Sequence, residues 1–308
     1  MAKNINKNKN KNKNKNTTQD CYVKLSGNST SVRLDTLNLF NMDEEKKASP
    51  MDMFINRNSK LMIKLGELER ESILNPDEDA YIYNLFLLGF VSNVESYFRS
   101  IIRASILMDP LCYKACLEQQ LTYAAAVHHK VELLPEALLE NCTFISFNNI
   151  SKTISSYLNI PIPKQGTENM ALIKDIEMFE QLCELRNCIV HRAGLLGSKN
   201  AVKLGIDNHK NFFERPIVLN NIFLQEASTV CLNAVRGFNN FLFNALIKRL
   251  SKETDSFTWD YRSDRSLFEK YFHVFHSESL ATQISTRGDP VYKPKDAYDE
   301  FRKSLMKK

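Results

Sequence analysis

Glycine and proline are scarce, with nine of each in 308 residues. Turn-rich β architectures depend on both residues and helix interiors tolerate neither, so the scarcity disfavours a many-turned β-sandwich and suits long helices. No glycine-rich loop of the phosphate-cradling or dinucleotide type occurs, which argues against an ATP-driven function. No apolar run approaches a membrane span, and the N-terminus carries no apolar segment of the secretory kind. The expectation is therefore a cytoplasmic protein without a membrane partner. The seven cysteines are odd in number and scattered at positions 21, 112, 116, 142, 183, 188 and 231. Several fall inside apolar helical patterns, which reads as buried reduced thiols.

Basic charge is scarcer in the body of the chain than its total suggests. The formal net charge is +5, but residues 3 to 15 hold six lysines and no acid, and removing those six leaves −1. Nucleic-acid binding by the body would need a local patch. Residues 1 to 16, MAKNINKNKNKNKNKN, hold almost nothing to bury and are expected to be a disordered tail. The tail reads as a solubilising arm or as a sequence-independent phosphate-binding arm.

What the chain does have is helical periodicity. Residues 17 to 60 form an N-terminal extension in which Tyr22 to Leu25 and Ser31 to Leu34 could be short strands. A helix is expected from about Ser59 to Ile73, before Asn75-Pro76. The first strong element follows the acidic residues Asp77, Glu78 and Asp79. In it Leu87, Val91, Val94, Phe98 and Ile101 recur at helical spacing up to Asp109-Pro110. Shorter helices are expected at 111–128, 135–141 and 146–159. The second strong element spans about Thr167 to Arg192, with Leu172, Ile176, Phe179 and Cys183 on one stripe that continues to 186 and 190, and Gly194 as its stop. A loop of about 25 residues is expected next, with an extended piece at Pro216 to Leu219. The third strong element runs from about Phe223 to Leu250, with Ala227, Val230, Ala234, Phe238, Phe241 and Ala245 on one face. Residues 251 to 308 form a polar C-terminal extension with helices near 265–276 and 294–306. The fold class is all-α, an antiparallel helical bundle over residues 61–250.

The second strong helix carries the candidate chemistry. Its stripe calls for an apolar residue at 186, where the chain places Arg186. Asn187 stands beside it, and His191 follows one turn after Asn187, pointing the same way. A buried arginine needs a compensating partner. A structural role would have Arg186 pair with a carboxylate such as Glu95, and His191 cap its own helix end. A chemical role is equally coherent. Histidine moves protons near neutrality, arginine forks onto a phosphate, and asparagine orients a ribose hydroxyl. Those three suffice for metal-free transesterification of RNA, in which the 2′-OH attacks the adjacent phosphate.

The run from Leu185 to Gly194 (LRNCIVHRAG) resembles the signature of HEPN domains (higher eukaryotes and prokaryotes nucleotide-binding). The segment from Gly89 to Phe98 (GFVSNVESYF) is similar to the early helix of these bundles, with an acid at Glu95. The resemblance covers about 80 to 250; the flanks at 17–60 and 251–308 match nothing recognised. It implies an all-α bundle that dimerises through the motif helix, and a metal-independent endoribonuclease of the toxin or phage-defence kind, needing no cofactor. Arg186 and His191 inherit the catalytic roles, Asn187 the polar position, and Glu95 a tentative fourth place. Alternatively Glu95 makes an ordinary pair with Arg99, one turn on. Some HEPN proteins are inactive, so a non-catalytic module binding a protein or nucleotide is the alternative, and an inhibitory partner protein is a further possibility.

Weaker signals point to nothing specific. Cys112 and Cys116 with His128 and His129 lack the paired tight-loop spacing of structural zinc and read as buried thiols. His273 and His276 are expected on a solvated helix face.

Overall fold

The computed structural model describes residues 23, 25–41, 48–76, 78–163, 169–253, 256–286, 288 and 291–306. It divides into two units, residues 1–46 and 47–308. In the first unit, Leu37–Leu39 form one turn of 3-10 helix in which nothing is buried. Asp35 fixes that turn, its carboxylate accepting from the Leu37 N–H (3.1 Å) and the Asn38 amide (2.7 Å). Ser31 to Leu34 is not a strand. Among the described residues it has no second strand to share its backbone hydrogen bonds with. The Lys/Asn tail, and Tyr22 and Lys24 of the other expected strand, lie outside the described residues.

The described residues of the second unit form twelve α-helices and no strand. They are α1 (Pro50–Arg70), α2 (Ala80–Met108), α3 (Pro110–Cys116), α4 (Tyr123–His128), α5 (Leu134–Leu138) and α6 (Phe147–Leu158). The rest are α7 (Met170–Arg192), α8 (Ser198–His209), α9 (Asn221–Glu253), α10 (Tyr261–Phe275), α11 (Glu278–Thr286) and α12 (Pro294–Met306). The chain is thus all-α.

Helix α1 begins nine residues before the expected start. Ser49 supplies the cap, its hydroxyl accepting from the Asp52 N–H at 3.1 Å, and Pro50 occupies the first turn, where its missing N–H costs nothing. The boundary expected at residue 60 therefore falls inside α1, and the one at 250 falls inside α9. On α2 the stripe Leu87, Val91, Val94, Phe98 and Ile101 is at most 1% exposed, as its period requires. By length and composition alone α2 could cross a membrane, its most apolar 18-residue window reaching a mean hydropathy of 1.2. This corrects the sequence reading that no run approaches that length: Glu95, Arg99 and Arg103 interrupt the helix, and its buried stripe is core.

Four long helices share that core, and their contacts fix their directions. Glu69 accepts from the Tyr83 hydroxyl (2.6 Å), Leu61 covers Gly89, and the Phe54 ring lies 6.2 Å from Tyr97. Residue numbers rise on one helix as they fall on the other, so α1 and α2 are antiparallel. Asn58 donates to Ser228 (2.7 Å) while Asn221 donates to Glu69, so α1 and α9 are antiparallel too. Tyr97 meets Asn239 (3.0 Å) and Asp109 meets Arg249 (2.7 Å), which makes α2 and α9 parallel. Leu172 and Asp175 close over Gly237, and Cys183 lies within electrostatic reach of Cys231 and Glu95. Helix α7 therefore runs against both α9 and α2.

The C-terminal residues join the same core. Phe268, Tyr271, Phe272 and Phe275 of α10 are buried, and Phe243 of α9 sits among α10 and α12 rings. Asp52 at the start of α1 accepts from the Ser277 hydroxyl (2.6 Å) and the Ser279 N–H (3.0 Å), tying α1 to the start of α11.

Two further expectations change. The helix expected at 111–128 is two, because Thr122 starts α4 afresh by accepting from the Ala125 N–H (3.3 Å). The loop expected after Gly194 contains α8. Gly205 inside it has φ +102°, a left-handed kink that breaks the hydrophobic period and hides the helix from a single-period reading.

Candidate active site

The motif sits on the last two turns of α7, which end in two left-handed residues, Ala193 (φ 51°) and Gly194 (φ 84°). The Gly194 N–H donates back to the Cys188 carbonyl at 3.1 Å. The chain then returns beside itself: the Ile217 N–H donates to the Gly194 carbonyl (2.9 Å) and the Leu196 N–H to the Arg215 carbonyl (3.0 Å). The extended piece expected near Pro216 is this short pairing.

Above the motif the stripe is sealed: Ile176, Phe179 and Cys183 are fully buried. Below Cys183 the same face loses its cover. Arg186 and Asn187 are half-buried, Val190 is 48% exposed and His191 is exposed. The sequence reading that 186 and 190 continue a buried stripe is corrected here. The direction holds but the burial does not, so Arg186 keeps water and escapes the full cost of burying a charge. The fully buried residue of this stretch is Cys188, on the opposite side, against Leu196 and Ala201 beneath α8.

Arg186 donates to the Asn187 side-chain oxygen at 3.2 Å. Among the described residues no carboxylate lies within 4.0 Å of its guanidinium, so the structural pairing with Glu95 is not made. Glu95 is half-buried on α2. Its alternative pair with Arg99 is not made either. The Arg99 guanidinium donates to the Leu139 and Cys142 carbonyls and lies over the Phe144 ring, 5.7 Å from its centroid. Glu95 and Arg186 do share a neighbourhood, since both act on the Cys183 thiol. Burial first, then the Glu95 charge, pushes that thiol far above its ordinary range, while Arg186 pulls the other way. At about 100° per residue, Arg186 and His191 stand about 140° apart around α7, with Asn187 and Val190 between them. One chain thus presents the two groups at opposite edges of one helix face.

Sequence reasoning missed the polar groups around this face. Glu184 is 4% exposed and accepts from Asn200 (2.8 Å) and Lys203 (2.5 Å) of α8. Arg192 is paired with Glu214. Arg192 packs close over Gly197: a Cβ there would stand 2.8 Å from Arg192 Cδ and would make that side chain shift. The sequence shows only an acid next to Cys183, and with the α8 segment read as loop nothing marked its partners. The neighbouring cations thus have carboxylates, and Arg186 has an amide.

The weaker signals resolve plainly. Cys112 and Cys116 are buried, and burial pushes their thiols up to about 12 and about 11. The six described cysteines are free. His128 and His273 are exposed and His129 is half-buried, whereas His276 is half-buried with its ring stacked on Phe272 at 4.9 Å, so only part of that helix end is solvated.

No protein-family model matches this chain, and neither the curated proteins nor the solved structures give a match.

Proposed function

We propose that this protein is a metal-independent RNA endoribonuclease of the HEPN type, acting in the cytoplasm as a toxin or phage-defence effector. The observation that carries the reading is the state of Arg186. Its guanidinium is half-exposed, is oriented by Asn187 at 3.2 Å, and has no carboxylate within 4.0 Å among the described residues, although Glu184 and Glu214 nearby each hold a cation. A fork so placed suits a phosphate.

In this mechanism Arg186 binds the scissile phosphate and stabilises the charge that builds on it. Asn187 aligns the guanidinium and the substrate. His191, reachable from solvent, takes the proton of the attacking 2′-OH or returns one to the leaving oxygen. Glu95 adds a nearby negative charge that biases the site. Because the two groups lie at opposite edges of one α7 face, a second copy docked along that face would bring an Arg186 toward its partner's histidine. Such docking would also cover the exposed Val190.

Purified protein should cleave RNA in EDTA and leave 2′,3′-cyclic phosphate ends. Arg186→Ala and His191→Ala should each lower the rate by about a hundredfold or more. Cleavage that needs added metal, or that survives both substitutions, assigns the chemistry elsewhere.

A further inference from the structure

A hollow lies away from the motif, between α9, α10, α11 and α12, with a volume of about 810 Å³. That falls within the roughly 300–1,000 Å³ typical of small-molecule sites. Helix α9 forms one edge. Arg236, Asn240, Asn244 and Lys248 line it at intervals of four, so they stand on one face along about 18 Å of helix. The floor is aromatic. The Phe243 ring lies 5.5 Å from Phe275, 5.7 Å from Phe301 and 6.3 Å from Phe272. Leu280 and Ile284 of α11 form the far wall.

The charges on the rim are not balanced. Glu300, on the α12 side, is engaged by Lys303 at 3.1 Å. Glu278 lies 3.8 Å from His276. Lys248 is exposed and makes no ion pair with a described residue. The Asn239 amide, by contrast, is spent on structure, accepting from Tyr97 and donating to the Phe275 carbonyl, both at 3.0 Å. The cleft therefore offers a trough with an aromatic floor, an apolar far wall and a polar α9 edge that carries a cation. The Phe243 ring meets Phe272, Phe275 and Phe301 at 44° to 78°, so it shares no common plane with them on which a base would stack.

We propose that this cleft binds a free single-chain amphiphile with an anionic head, of the alkyl carboxylate class. The chain lies along Phe243 and Ile284, and the carboxylate meets Lys248. The inference is independent of the nuclease reading and shares no residue with it.

Calorimetric titration of the full-length protein with monomeric sodium dodecanoate tests it, with dodecylammonium chloride as the matched cation. One saturable site is expected for the carboxylate, with the ammonium weaker by about tenfold or more. Lys248→Glu, a surface change that leaves the fold alone, should reverse that order. Ala281→Trp should fill the trough and abolish binding of both. The proposal is overturned by absence of saturable dodecanoate binding, by equal affinity for the two heads, or by dodecanoate binding that neither substitution alters. Binding to anionic phospholipid vesicles without binding of monomeric dodecanoate overturns it as well.

Discussion

Two arginines at different places in the all-α fold show how the same side chain can serve architecture or remain available. Arg249 on α9 is buried. It donates to Asp109 (2.7 Å), to the Leu158 carbonyl (2.6 Å) and toward the Cys112 sulfur (3.1 Å), and Tyr271 completes the cluster by donating to Asp109 (3.0 Å). The same Asp109 carboxylate also caps α3 through the Leu111 and Cys112 N–H groups. One guanidinium thereby joins α2, α3, α6, α9 and α10. Arg186 on α7 is half-exposed, touches one amide, and joins α7 to no other helix through an ion pair. A buried guanidinium must be matched almost completely, whereas one at the open end of a seam can wait for a ligand.

The largest effect should come from breaking the matched arginine. Arg249→Met strands the Asp109 carboxylate in the core and should cost about 3–5 kcal/mol of stability, read from denaturant unfolding. The double change Arg249→Met with Asp109→Asn removes both charges and keeps a side-chain oxygen for the α3 N–H groups, so it should recover much of that loss; no recovery would mean the cluster acts through something other than charge.

Next comes Glu184, which resembles Arg249 in burial and sits beside the motif. Glu184→Ala should cost about 1–3 kcal/mol, because it leaves the Asn200 amide and the Lys203 ammonium without their acceptor. Hydrogen exchange should show α8 opening first. Exchange unchanged in α8 would separate Glu184 from the hold of that helix on the motif.

Acid sharpens the comparison at the C-terminal end. Burial acts to raise the Asp264 carboxyl, but hydrogen bonds from Tyr298 (2.5 Å), Thr258 and the Trp259 N–H outweigh it and hold the group below its usual range. Asp52 behaves alike, with Ser277 first among the donors that outweigh burial. A carboxyl lowered on folding contributes stability that is present above its unfolded value, near about 3.9, and is lost as pH falls through the folded value. The emission of Trp259, the single tryptophan, should therefore be flat from pH 8 to 5 and shift only below about pH 4. A transition at pH 6 would contradict these assignments.

The smallest expected effect on stability is that of Arg186→Ala, within about 0.5–1 kcal/mol, because it removes one half-exposed hydrogen bond.

How much of this was legible in the sequence follows the same contrast. Stripes that pack against long helices, such as Leu87 to Ile101 and Leu172 to Cys183, are periodic and were readable, as were the Asp109-Pro110 break and Gly194 at the end of α7. What stayed hidden depends on pairings distant in sequence. Arg249 meets a carboxylate 140 residues away, and Glu184 meets a helix that the left-handed Gly205 disguises. The candidate site was legible as residue types, Arg186, Asn187, His191 and Glu95. Its exposure was not, since periodicity says which way a side chain points and nothing about where its cover ends.

The central claim is that Arg186 is held for a phosphate and not for the fold. The most direct measurement pairs RNA cleavage in EDTA with the unfolding midpoint for wild type, Arg186→Ala and Arg186→Lys. The account predicts that Arg186→Ala loses about a hundredfold or more in rate while its midpoint stays close to wild type, with Arg186→Lys between the two in rate. An Arg186→Ala protein that cleaves at the wild-type rate, or that unfolds as readily as Arg249→Met, would contradict it.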